Sequence, residues 1–471
     1  MSAASPHVYA VLAFSSAAVF LLVPYALRKR APLMALIIAC GILIRVLAGA
    51  SLFWISYLRL PVLRDIQAGE GFWLILPDAR TYYDLASTVA STGVLADSAL
   101  PSPTFINALA GCIAVFGATP AAGVFLNVAA YATTAGLLAV TSLKAWNRET
   151  RCFREVMLAA YSFSPALVVF GAQVLKDALF AALIVAASVA GAHLSGAAAD
   201  AAGRRRLRTL FRASTLVALM IVVHAMAGVR AYFPVLVIAA MFVAWLVALR
   251  EIPQRLRFGG LVAIAAATCV LWIAARSGAV DYYRVYETQM FGSPLSGPFA
   301  VLDNARASFR ASGGATNIVD SGGEQAGDIG ALLTHPVRSL SRLGVGLVVV
   351  FAPISTLTSL SLVTFPGGRG LLWLTDLDTL FLDVSAGVLI WLLWRRRRAV
   401  GWHGPSACFA LVVSTLSVVL IAYTVTNYGT LFRLRVMIAV PLWLVALAVR
   451  DREAPAAAPQ VAAADSSDLT G

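Results

Sequence analysis

An all-α, polytopic bundle of transmembrane helices is the fold class this sequence predicts, and three observations carry that expectation. Hydrophobic residues make up 60% of the 471-residue chain and charged residues only 13%, too little polar surface to keep a chain of this length in water as globular domains. Apolar runs of near-spanning length recur along it. The net charge of +13 is carried almost wholly by arginine, in short clusters at the ends of those runs. Positive-inside orientation accounts for such clusters, whereas a nucleic-acid binder would concentrate charge on one face. The expected solvent is therefore membrane lipid, with no nucleic-acid partner.

The runs fall at about 8–27, 32–57, 121–143, 156–174, 178–195, 214–230, 233–249, 258–275, 372–394, 405–425 and 434–449. They predict about eleven spans. The basic connections are Arg28 to Arg30, Lys144 to Arg154, Arg204 to Arg212, Arg250 to Arg257, Arg395 to Arg398, and Arg450 with Arg452. All six lie in the cytoplasm only if two further apolar stretches, 104–118 and about 344–364, do not cross. The first is short for a span, and the second is interrupted by Pro353, so both are expected to be re-entrant or interfacial. The membrane domain is expected over residues 1–450. Its loops 59–103 and 276–343 lie outside, and residues 451–471, rich in Ala, Pro, Ser and Asp, form a disordered cytoplasmic tail. Ser312-Gly313-Gly314 and Ser321 to Glu324 mark a mobile stretch of the second loop rather than a phosphate cradle. Five scattered cysteines, with no CxxC pair, predict neither a disulfide framework nor a zinc site.

A few polar residues are not explained by an inert span. In Leu76 to Ala86 a carboxylate, Asp78, is followed by Arg80, Tyr82, Tyr83 and Asp84; the plain alternative is that Asp78 caps a helix and the tyrosines sit at headgroup level. Lys176-Asp177 lies at the junction of two apolar runs on the same outer side. Its plain reading is a snorkelling lysine beside a capping aspartate. Arg230, Arg433 and Arg435 also fall at outer helix ends, where positive-inside bias disfavours them and a guanidinium fork suits phosphate. On a regular helix Arg433 and Arg435 point roughly 200° apart, so both serve one ligand only if the backbone there is extended or broken. Arg45 lies mid-span and should face the bundle interior. His224, deep in a span, fits a packing residue better than a ligand, and His335 is a weak site candidate.

Pro77-Asp78-Ala79-x-x-Tyr82-x-x-x-Ala86, Lys176-Asp177 opening a helix, and Asn427 to Arg435, in that order, resemble bacterial membrane proteins grouped with the GT-C glycosyltransferases. Protein mannosyltransferase-like proteins and exopolysaccharide polymerases are similar in layout. The resemblance covers roughly residues 70 to 440 and rests on short motifs. It implies a GT-C-like glycosyltransferase or polysaccharide polymerase of the bacterial inner membrane, acting at the periplasmic face. The donor it implies is a polyprenyl-phosphate-linked sugar and the acceptor a glycan or lipid. Asp78 matches the family's catalytic acid. The substrate-binding set would then be Arg80, Tyr82, Tyr83, Asp84, Lys176, Asp177, Arg230, Arg433 and Arg435. Many members carry two adjacent acids in that loop, whereas Asp78 and Asp84 are five residues apart; a divalent metal is left open and no metal ligand is assigned. The rival readings are an arginine-based O-antigen-type polymerase, a lipid or sugar flippase, and a non-catalytic assembly protein.

Overall fold

The computed structural model describes residues 6–74, 77–143, 148–196, 205–251, 254, 257–291, 297–313, 336–359, 369–395, 405–425, 428–435 and 437–438. Gly314, Ser321 to Glu324, His335, Asn427, most of the run 434–449 and the tail lie outside them. The described chain is mostly helical and all-α. Three of its helices are long and apolar enough to cross a membrane: Pro32–Tyr57, Ala121–Val140 and Arg257–Gly278.

In chain order the helices are α1 (Pro6–Phe20), α2 (Leu22–Leu27), α3 (Pro32–Tyr57), α4 (Pro77–Thr92), α5 (Pro103–Phe116), α6 (Ala121–Leu143), α7 (Arg148–Phe163), α8 (Pro165–Gly171), α9 (Asp177–Gly196), α10 (Arg205–Ala227), α11 (Phe233–Ala248), α12 (Arg257–Gly278), α13 (Val280–Phe291), α14 (Gly297–Gly313), α15 (Pro336–Phe351), α16 (Ile354–Ser359), α17 (Arg369–Arg395), α18 (Pro405–Thr424) and α19 (Tyr428–Leu434). A small hairpin, β1 (Gln67–Gly69) with β2 (Phe72–Trp73), pairs antiparallel between α3 and α4. Two helices organise the packing: α3 lies against α1, α6, α7 and α8, and α9 against α6, α10, α11 and α18. On α12, Leu261, Val262 and Ile273 face outward, Ile273 with 65% of its surface exposed, as suits a lipid-solvated helix.

Proline accounts for several breaks inside the apolar runs. The run 8–27 divides at Leu21 because Pro24 offers no amide to the Phe20 carbonyl. The run 156–174 divides at Ser164-Pro165. There the Ser164 hydroxyl caps α8 by accepting from the Leu167 amide at 3.3 Å, and Pro165 leaves the Tyr161 carbonyl without its helical donor. Arg45 fills that gap. Its guanidinium donates to the carbonyls of Ser162 at 2.7 Å, Gly41 at 3.1 Å and Tyr161 at 3.3 Å, and lies 3.8 Å from the Tyr131 ring centroid. With 2% exposure, this charge at mid-helix depth faces the bundle interior and is solvated by backbone the proline set free.

Of the two stretches expected not to cross, the first contains α5, 14 residues long and thus about 21 Å, short of a hydrocarbon core of about 30 Å. The second is broken at Ala352-Pro353, between α15 and α16. Loop 59–103 is ordered by the hairpin, whose turn residues Glu70 and Gly71 have φ of 54° and 89°. That pair of positive φ values suits the right-handed twist of the strands. The hairpin sits on the end of α3: Trp73 Nε1 donates to the Leu52 carbonyl at 3.1 Å and the Ser56 hydroxyl to that of Phe72. It delivers the chain to the start of α4, and so positions Asp78.

Candidate functional site

The charged residues at one end of the bundle meet in a continuous chain of ion pairs. Asp177 is its centre. It opens α9 with 2% of its side chain exposed, and both oxygens are taken by guanidinium groups. Arg230 Nη2 donates to Oδ1 at 2.9 Å, while Arg433 holds Oδ2 through Nε at 3.0 Å and Nη2 at 2.9 Å. The remaining nitrogen of Arg433, Nη1, reaches Asp78 Oδ2 at 3.1 Å. The bonds to the buried Asp177, charge-assisted and shared by two guanidinium groups, are of the strong kind and fix guanidinium planes as well as positions.

Each participant is held by the local fold. Arg230 lies in the turn joining α10 to α11, where its amide bonds the Met226 carbonyl at 2.8 Å and its carbonyl accepts from Phe233 at 3.1 Å. Its guanidinium lies 5.2 Å from the Phe180 ring centroid and donates to the Tyr232 hydroxyl at 3.5 Å. Arg433 projects from α19 and stacks 5.6 Å from the Phe170 centroid. Asp78 is the second residue of α4, so it lies within the first turn and its carboxylate is engaged by Arg433; the helix dipole favours an anion there.

Lys176 occupies the turn just before α9. Its ammonium donates to the Ser102 hydroxyl and lies 5.4 Å from the Tyr82 ring centroid. Ser102 in turn donates to the Val229 carbonyl at 3.1 Å, from a left-handed backbone conformation with φ of 61°. Burial, and next the neighbouring Arg230, push Lys176 down to about 7 from its usual 10.5. Burial, and then the Asp78 carboxylate, push the Tyr82 hydroxyl up. Two arginines, a lysine held near neutrality and two carboxylates thus share the site, which carries one positive charge in excess when Lys176 is protonated, an arrangement able to bind an anion beside a carboxylate.

Asp78, Tyr82, Lys176, Asp177, Arg230 and Arg433 are brought together; four other members of the expected substrate-binding set, Arg80, Tyr83, Asp84 and Arg435, are not part of this cluster. Arg80 pairs at the surface with Glu70 at 3.0 Å and, at 3.9 Å, with Asp84 one turn on. Tyr83 packs on Phe72, ring centroids 5.6 Å apart. Arg435 points elsewhere because α19 continues helically, with the Arg435 amide bonded to the Leu431 carbonyl at 3.1 Å. Its guanidinium enters a second buried cluster, donating to the Thr379 hydroxyl and to the Val349 carbonyl at 3.2 Å. There Asp378 of α17 accepts from Ser164. His224 meets the Ser277 hydroxyl at 2.9 Å.

Sequence reasoning missed Ser102, a serine like many others, and it missed Asp378. A signal for the second existed: Asp376, Asp378 and Asp383 interrupt the apolar run 372–394, and a carboxylate within a span is a site candidate in its own right. Among the described residues, no group of three His, Cys, Asp or Glu gathers as a metal-binding set. A scan against protein-family models found no match to this chain, and searches of curated proteins and of solved structures found no significant neighbour.

Proposed function

We propose that the chain is a multi-pass membrane glycosyltransferase or polysaccharide polymerase of GT-C-like layout, with about eleven spans, in the bacterial inner membrane. It takes a polyprenyl-phosphate-linked sugar at the periplasmic face and passes it to a glycan or lipid acceptor for envelope or exopolysaccharide synthesis. The observation that carries this reading is the juxtaposition of a partly exposed carboxylate, Asp78, with Lys176, Arg230 and Arg433. In the transfer, the acceptor hydroxyl oxygen attacks the anomeric carbon and the bond to the phosphate oxygen breaks. The phosphate leaves with the electron pair, and Asp78 takes the hydroxyl proton. The cations stabilise the charge that grows on the departing phosphate. A cavity of about 160 Å³, lined by Tyr232, Leu236, Phe309, Ile421 and Leu434 among others, lies beside the cluster and would accommodate part of an apolar carrier chain.

Asp78→Asn is the deciding substitution, because asparagine keeps the shape and suits a helix start as well as aspartate does. Transfer of sugar from purified lipid-linked donor should fall by about 100-fold or more, while expression and thermal unfolding stay near wild type. Near-normal polymer production by this variant would instead favour the arginine-based polymerase. A flippase is the second reading, favoured by one observation, the buried Asp378, Thr379 and Arg435 cluster within α17 and its neighbours. It predicts movement of lipid-linked sugar across proteoliposomes without transfer.

A further inference from the structure

We propose that Asp78 is an internal occupant of an anion site on Arg433, and that a phosphate group displaces it. The inference rests on reading the cluster as a phosphate site, and is independent of whether sugar transfer follows. The two carboxylates on Arg433 are not equivalent. Asp177 is 2% exposed, is gripped by the Nε and Nη2 edge, and is also held by Arg230, so it is a permanent counter-ion. Asp78 is 47% exposed and accepts from Nη1 alone. An ion pair with one partner half in water adds little stability. A phosphate brings more charge and three acceptor oxygens to the same nitrogen.

Charge balance favours the exchange. With Asp78 turned away, Arg230 and Arg433 face Asp177 alone, leaving one positive charge, and an arriving phosphate dianion favours the protonated form of Lys176, which supplies the second. The departing carboxylate keeps the favourable end of its own helix, since it remains in the first turn of α4. Asp78 is therefore paired while the site is empty and freed when the anion arrives, so any proton transfer it performs is confined to the liganded state.

The experiment uses the full chain in nanodiscs and compares the wild type, Asp78→Asn, and Asp97→Asn as a control that removes an exposed charge from the same loop. Calorimetry with inorganic pyrophosphate is one arm. Thermal unfolding in nanodiscs containing phosphatidic acid, against phosphatidylcholine alone, is the other. Removing the internal competitor should tighten pyrophosphate binding roughly fivefold, the size of a weak ion pair, with no change for Asp97→Asn. Tightening toward pyrophosphate assigns the site to phosphate in solution. A gain in stability seen only with phosphatidic acid assigns it to a lipid headgroup, and displacement holds in both cases. Equal responses of Asp78→Asn and wild type in both arms, or equal tightening by Asp97→Asn, overturn it. Tightened binding by a chain without transferase activity would sink the proposed function and keep displacement. Lost transfer with unchanged anion affinity would do the reverse.

Discussion

Burying an ammonium in the turn before α9 removes hydration that one hydroxyl and one aromatic ring replace only in part. Lys176 is therefore held near 7 in the folded chain, against 10.5 when unfolded. Between those values the unfolded chain keeps the proton and the folded chain releases it, so folded-state stability rises with pH through that window. The wild type should gain thermal stability relative to Lys176→Met as pH is raised from about 7 to 9.5; parallel curves would mean that the ammonium is solvated. The sequence made Arg230 and Arg433 visible because cations at helix ends expected to lie outside run against positive-inside bias, and Lys176 with Asp177 because a charged pair separates two apolar runs. It could not show that Asp177 serves both arginines, since three segments far apart in sequence supply the bonds. Nor could it show Ser102, whose importance lies in a left-handed backbone that brings an ordinary hydroxyl to Lys176.

At the scale of the element, α19 shows how helical geometry decides membership of a site. Arg433 and Arg435 share one short motif, yet two residues along a helix is more than half a turn, and because the backbone there stays helical the pair serves two clusters. The breaks at Pro24, Pro165 and Pro353 were only partly legible: proline says where a helix loses a bond, while the partner that takes over, as Arg45 does for Tyr161, is a tertiary matter. Close helix contact offers a sharper test. At Gly346 in α15 an added Cβ would overlap the Ala422 backbone carbonyl of α18, whereas at Gly344 nothing lies within 4 Å. Backbone cannot swing aside as a side chain can, and small residues are what let membrane helices approach. Gly346→Ala should lower stability by about 1–3 kcal/mol, and Gly344→Ala should leave it unchanged or slightly raised. Unfolding midpoints of the two variants in one detergent make the comparison.

For the whole molecule, the two loops expected outside meet through the hydroxyl of Ser98 and the carboxylate of Asp281, and the charged cluster lies at the same end of the bundle. Cysteines placed singly at Thr92 and Arg284 in a cysteine-free chain should react with an impermeant thiol reagent from the periplasmic side, and one at Lys29 should not. Opposite reactivity of the first two would undo the expected topology. The all-α class was legible from composition together with the length of the apolar runs; the lateral order of the helices was not, because apolar faces of similar character give little clue to which neighbour each one meets.

The bond between Asp78 and Arg433 joins residues 355 positions apart, and this separation has a consequence in time. At about 5–20 residues per second, a ribosome that has just finished α4 needs roughly another 17 to 68 seconds to reach Arg433. Throughout that interval the nascent chain holds Asp177 with at most one of its two arginines, and Asp78 with none. The cluster is thus completed only when α19 docks, a step that brings a newly inserted chain to its mature charge state.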